Sequence, residues 1–336
     1  MISPLLRLLS IAAFLLGTSA LSPSRPQAYP PGFLTIVNQR EHSVMLLDLS
    51  TRSTLANIDV GVNGHELAVS PDGKFAYVPI YGNAGVGMPG TDGRTIDIID
   101  LHNRTLAGQI DLGEPVRPHC AKFGPDGLLY VSAELANAIY VVDTAAQKLI
   151  AEIPTGQPQS HMLVISPDGR RAYTANVESG TVSVLDLQKR SLITVIPVAK
   201  KIQRISISPD GRRVFTHDQD QSRIAIIDTA TDTVAGFIAV PNTVYSSAVT
   251  PDGETLVANA PAGKIFVIDL AQSKVNASIE VPPSAGQIIV APDGSRAFLS
   301  CPQAGSIQIL DLQSGKLAAA IPLSKGVDGL AWLPSL

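Results

Sequence analysis

Short apolar runs, some alternating with polar positions and some continuous, follow one another from residue 33 to the end of the chain, each closed by a turn signal. One stretch displays the unit. Residues 162–165 are an apolar run, and Ser166-Pro167-Asp168-Gly169 is a turn in which proline sets φ and glycine is free to take positive φ. Residues 172–175 form a second run, Asn176-Val177-Glu178-Ser179-Gly180 is a loop, residues 181–187 alternate as a third strand, and residues 191–198 supply a fourth. Four short antiparallel strands are predicted, and no helix is needed.

The unit repeats. The turn proline stands at Pro71, Pro125, Pro167, Pro209, Pro251, Pro292 and Pro334, in steps of 54, 42, 42, 42, 41 and 42 residues. An aspartate ending an apolar strand keeps the same beat at Asp48, Asp100, Asp143, Asp186, Asp228, Asp269 and Asp311. A four-stranded unit of this period is a propeller blade, so the pattern predicts an all-β, seven-bladed β-propeller of four-stranded antiparallel blades. Both series are long only at the first step, which places one insertion of about ten residues within residues 82–94. The chain enters the pattern at a second strand, residues 33–38. Residues 330–333, before Pro334, supply the missing first strand, so the N- and C-terminal strands are expected to pair in one sheet and leave no open edge.

Residues 1–20 read as an export signal: Arg7 in a basic start, an apolar run over residues 8–16, then the small residues Thr18-Ser19-Ala20. That run is shorter than the roughly 20 residues that span a bilayer. Residues 21–32 are a Pro/Ser-rich linker and residues 33–336 one propeller domain. The expected location is periplasmic or extracellular, the expected state a monomer, and the expected partner a small-molecule ligand or a protein. A formal charge of −4 without a basic stripe argues against nucleic acid. Cys120 and Cys301 fall in different repeats, so the fold does not rest on a disulfide framework.

The segment Arg171-Ala172-Tyr173-Thr174-Ala175-Asn176, between Ser166-Pro167-Asp168-Gly169 and Val182-Ser183-Val184-Leu185-Asp186, resembles the YVTN family of seven-bladed β-propellers. The asparagine ending the second strand recurs as Asn38 and Asn259 and is replaced by Ala133, Asp218 and Cys301 elsewhere. The resemblance covers essentially the whole mature chain. It implies the architecture more than the activity, since lactonases, surface-layer proteins and haem-binding propellers share it.

In a propeller the first strand of each blade lines the central channel, so the residues just before it ring one mouth. Six positions upstream of the turn prolines stand His65, His119, His161, Gln203, Tyr245, Gly286 and Asp328. Three of the six histidines thus fall at one structural position on consecutive blades. Three imidazoles suit a divalent metal ion such as a catalytic zinc, or direct contacts to a ligand, or a structural role. His65, His119 and His161 are the candidate metal ligands, and with Tyr245 the candidate catalytic residues. Arg117, Gln203, Arg204, Tyr245 and Asp328 are the candidate ligand-binding residues. Arg117, Lys200, Lys201, Arg204 and Lys325 gather toward this mouth and favour an anionic ligand such as a carboxylate. Glu41, His42, Glu134, Glu178, His217, Asp218 and Asp220 are expected on loops of the same face as simple surface groups.

Gly85-Val86-Gly87-Met88-Pro89-Gly90 has G-x-G-x-x-G spacing but leads into a strand rather than a helix, so the insertion is read instead as a flexible flap over the mouth beside His65 and His119, or as a decorative loop. His65-Glu66 has no histidine four residues on, and no G-x-S-x-G elbow is present. Two functions remain open: a binding propeller holding a small anionic ligand or cofactor at a His-lined mouth, or a lactonase-like hydrolase, or related lyase, using a ring histidine or a His-bound metal.

Overall fold

The computed structural model describes residues 32–284 and 286–336; the expected leader and all but the last residue of the linker lie outside them. Seven antiparallel sheets follow one another around a ring, and no helix occurs among the described residues. The sheet containing the expected unit runs Ser160–Ile165, Arg171–Asn176, Thr181–Asp186, Ser191–Pro197 from inside to outside. In the sixth repeat the outermost strand is broken into Lys316–Leu317 and Ile321–Pro322.

The chain ends meet in one sheet. Val327–Leu333 pairs antiparallel with Phe33–Asn38, from Phe33↔Leu333 to Ile36↔Leu330, then through a bulge to Asn38↔Val327. The C-terminal strand therefore starts three residues earlier than its apolar run suggested. The closing sheet is packed on both faces. Val37, Val44 and Leu46 meet Ala76, Val78 and Ile99 of the next sheet, while Leu34, Ile36 and Met45 meet Phe298, Ile307 and Ile309 of the preceding one.

The two sequence markers have local causes. In each Pro-Asp-Gly turn the glycine sits at positive φ and its N–H donates back to the residue before proline, as Gly169 does to the Ser166 carbonyl at 2.8 Å. The Asp168 carboxylate accepts from Ser166 Oγ at 2.6 Å and the Arg170 N–H at 3.0 Å. The strand-ending aspartates close the third hairpin: Asp186 accepts from the Lys189 N–H at 2.8 Å and Asp143 from the Ala146 N–H at 2.9 Å. Cys120 and Cys301 are free, buried thiols.

The insertion is tied together at its base. Strands Phe75–Gly82 and Asp92–Asp100 run into it, leaving a short loop whose base is tied by Asn83 N–H to the Thr91 carbonyl, 3.0 Å, and Thr91 N–H to Asn83 Oδ1, 2.6 Å. No helix of the described residues is long and apolar enough to cross a membrane.

Candidate functional site

His65, His119 and His161 come together at the centre of the mouth. Each lies two residues after a non-glycine residue in the left-handed region, Asn63 at φ 62°, Arg117 at 51° and Gln159 at 54°. This conformation is disfavoured for side-chain-bearing residues and is held only where the surroundings enforce it. The imidazoles pile one over another, with ring centroids 4.9 Å apart for His65 and His119 and 3.7 Å for His119 and His161, tilted by 41° and 31°. Tyr81 stands edge-on to His65 and His119, at 5.3 and 5.5 Å.

Two ion-pair networks flank the stack. On one side Glu134 accepts from Tyr81 Oη at 2.8 Å and pairs with His161 Nδ1 at 3.1 Å, with the Arg117 guanidinium 3.9 Å from its other oxygen. Arg117 also donates to Asp92 at 2.5 Å and to the Met88 carbonyl at 2.8 Å, both within the insertion. On the other side Arg204 donates to Glu66 at 2.7 Å and lies 3.7 Å from Asp328 and 4.9 Å from the Tyr245 ring. His65 Nδ1 is 3.4 Å from Asp328 Oδ2, and Gln39 bridges the two. Gln203 reaches His161 Nε2 at 3.4 Å.

Burial sets the protonation states. His119 is pushed well below the ordinary imidazole range by desolvation, with the neighbouring His161 and His65 adding like-charge repulsion. His161 is lowered by burial as well, with Glu134 partly opposing. Burial resists ionisation of Glu134, but the contacts from His161, Tyr81 and Arg117 outweigh it and hold the carboxyl below its usual value. A charged Glu134 fixes neutral His161 with its proton on Nδ1, leaving the Nε2 lone pair beside Gln203. Chemically this is an imidazole base oriented by a carboxylate. The tyrosine proton is held tightly, Tyr81 being raised by burial and then by Glu134.

The candidate residues of the ring thus converge, with three corrections. Among the described residues no group of three or more His, Cys, Asp or Glu side chains is arranged to hold a metal ion; stacked rings carry their nitrogens side by side, whereas a metal needs lone pairs aimed at one point. The anionic-ligand expectation counted Arg117 and Arg204 as available cations, yet both are engaged by carboxylates. Asp92, Glu134, Glu66 and Asp328 outnumber them, while Lys200, Lys201 and Lys325 point into solvent. Finally, Glu134, His217 and Asp218 are buried, not surface groups. His217 pairs with Ser247 at 2.8 Å and is pushed down to about 3 by desolvation, then by the nearby Arg204 charge. Asp218 caps its own loop through the N–H groups of Asp220 and Gln221. Glu41 and Glu178 are exposed, and His42 accepts from the Asn63 N–H at 3.2 Å.

Sequence reasoning missed Glu66, Tyr81, Gln39 and Asp92. Glu66 was visible beside His65, and Gln39 and Tyr81 share a second register with Glu134, each directly after the second-strand residue, Asn38, Ile80 or Ala133, that pairs beside the ring position.

No family model matches the chain. Over 131 residues it is 30% identical to a seven-bladed beta-propeller protein of Mycobacterium tuberculosis, Rv1057, covering 38% of this chain and 30% of that protein. The matched stretch spans about a third of the length of the curated relatives. Hydrazine synthase of Kuenenia stuttgartiensis superposes with a TM-score of 0.68 at 19% identity, over 79% of this chain and 88% of that one. Dihydro-heme d1 dehydrogenase NirN, solved in complex with DHE, superposes with a TM-score of 0.66 at 16% identity, over 93% and 78%. At such identity these two structures speak to the fold alone, and together with Rv1057 they agree with the ring of sheets: the chain is a seven-bladed β-propeller.

Proposed function

We propose that the protein is an exported propeller of the YVTN repeat type that binds a small molecule at its histidine-lined mouth. One observation carries the reading. His119 Nδ1, Glu134 Oε1 and Asp328 Oδ1 are buried around the stack without a hydrogen-bond partner, on residues less than 4% exposed, the two carboxylate oxygens meeting only distant guanidinium groups, Arg117 at 3.9 Å and Arg204 at 3.7 Å. Buried polar groups are almost always satisfied, and leaving one unmade costs about 1–3 kcal/mol. A core that served stability alone would fill the space with apolar side chains. Groups kept unsatisfied beside stacked imidazoles suit a ligand that brings the missing donors and acceptors and a flat face. The carboxylate excess makes that ligand neutral or cationic. NirN, which has this fold, holds DHE in its complex, and a bound organic molecule is consistent with this architecture.

The test is native mass spectrometry of tag-free protein recovered from the periplasm. Expected are a chain cleaved near residue 20 and a small-molecule adduct that the wild type retains and His119→Ala loses while still folded. A wild type without adduct, with each histidine-to-alanine change simply lowering the melting temperature, would leave the stack a packing device.

A second reading, lactonase-like hydrolysis, is favoured by the Tyr81–Glu134–His161 chain, which presents an oriented base. In it His161 Nε2 takes a proton from water attacking a lactone carbonyl, and the ring-opened carboxylic acid is the product. Hydrolysis of a γ-lactone that disappears in His161→Ala while the mass-spectrometric adduct persists would prefer it.

A further inference from the structure

The channel beneath the mouth carries a different chemistry. A cavity of about 310 Å³ is walled by first strands of the second to sixth repeats, among them Leu163, Val164, Ile207, Val249 and Ile289, and reaches Pro251 at the opposite, Pro-Asp-Gly face. Arg204, already paired with Glu66 and Asp328, also lines it. No Asp or Glu lines it, and Lys122 does.

Lys122 is out of place by register. Three residues before the turn proline, the other repeats carry Ala68, Val164, Ser206, Ala248, Ile289 and Ala331, all apolar or hydroxyl-bearing. One repeat alone turns a cation into the channel, where it is partly buried. It makes no ion pair or side-chain hydrogen bond in the described structure. An ammonium on a channel wall that carries no carboxylate is placed to meet an anionic head group. Ser206 and Ser247, joined at 2.9 Å, add a hydroxyl pair on the same wall.

We propose that this channel is a second ligand site, entered from the Pro-Asp-Gly face, for a small amphipathic monocarboxylate whose head group pairs with Lys122 and whose apolar body lies along the Val and Ile wall. The volume falls at the lower end for small-molecule pockets, and the lining follows their usual pattern of apolar walls with few fixed polar groups. The anion inferred for the mouth thereby finds its cation elsewhere. The proposal is independent of the mouth and of what binds there.

The test uses octanoate, with octan-1-ol as a probe of similar apolar body and no charge, titrated calorimetrically into the intact protein at low salt. Octanoate should bind saturably and lose about tenfold or more in affinity in Lys122→Met, as removal of a charge-assisted contact implies. Octan-1-ol binding should not weaken with that change. A measurement without any variant stands beside it: saturating octanoate should slow reductive methylation of Lys122, read by peptide mass spectrometry, and leave Lys200 and Lys201 unaffected. In His119→Ala the octanoate affinity should stay as in the wild type. Failure of octanoate to bind, equal affinity in Lys122→Met, unprotected Lys122, or dependence on His119 each overturns the channel assignment.

Discussion

Arg204 is the residue on which the centre of the ring turns. It is buried, and its guanidinium lies between Glu66 and Asp328 with the Tyr245 ring alongside. Those carboxylates and the tyrosine outweigh the cost of desolvating it and raise its affinity for its proton. A buried pair adds little net stability against an apolar substitute, but removing one partner strands the other, at about 3–5 kcal/mol. Arg204→Ala, which leaves two carboxylates without their cation, should therefore lower the unfolding free energy in urea by about 3–5 kcal/mol. A change under about 1 kcal/mol would mean that water reaches the pair freely. The histidines add stacking to the same kind of pairing, His161 being held by Glu134 and His65 lying beside Asp328.

At the scale of elements, the insertion decides what the mouth can admit. Its loop was expected to be a flexible flap or a decorative loop that contributes nothing to stability. Instead Arg117 reaches into it, donating to Asp92 and the Met88 carbonyl, while the Gly93 carbonyl accepts the Arg117 N–H at 3.0 Å. Replacing residues 84–90 by a two-residue turn removes the Met88 acceptor but keeps Asp92 and the paired strands. The shortened protein should stay folded and lose about 1–3 kcal/mol, the cost of a buried donor left unsatisfied, as read by thermal or urea unfolding. Unchanged stability would restore the flap reading, and complete unfolding would make the loop part of the scaffold. Elsewhere the elements follow their sequence closely, because Pro-Asp-Gly turns close the first hairpins and strand-ending aspartates the third, each within a few residues.

For the whole molecule, closure and burial set the response to pH. His119, His161 and His217 are all held neutral by desolvation, below the value of 6.5 they regain when unfolded. As pH falls through 6.5 the unfolded chain takes up protons that the folded ring refuses. Stability is then fully present above that pH and lost below it, by about 1.4 kcal/mol per unit for each such histidine. Unfolding free energies at pH 7.5 and 5.5 should differ accordingly, with most of the loss below 6.5. A flat profile across this window would show that imidazolium is accommodated inside, through Glu134 or Asp328. The same ring holds the chain ends together, so the loss should be one cooperative transition rather than a fraying of either terminus.

The period, the turns and the closing strand were all legible in the chain, because a blade is a local unit whose turn chemistry repeats with each repeat. The ring register also brought His65, His119 and His161 to one place, since equivalent positions on neighbouring blades are close in space. What those side chains do there was not legible. Whether imidazoles meet edge to edge around a metal or lie face to face depends on χ angles set by Tyr81 and Glu134, which arrive from outside that register. Whether Arg117 and Arg204 are free to meet an anion depends on carboxylates far off in sequence; Glu66 is 138 residues from Arg204. Charge pairing and burial belong to the packed molecule, so the sequence determined the ring and the positions around its mouth, while only the tertiary structure decided which charges are spent there and which one, Lys122, is left facing the channel.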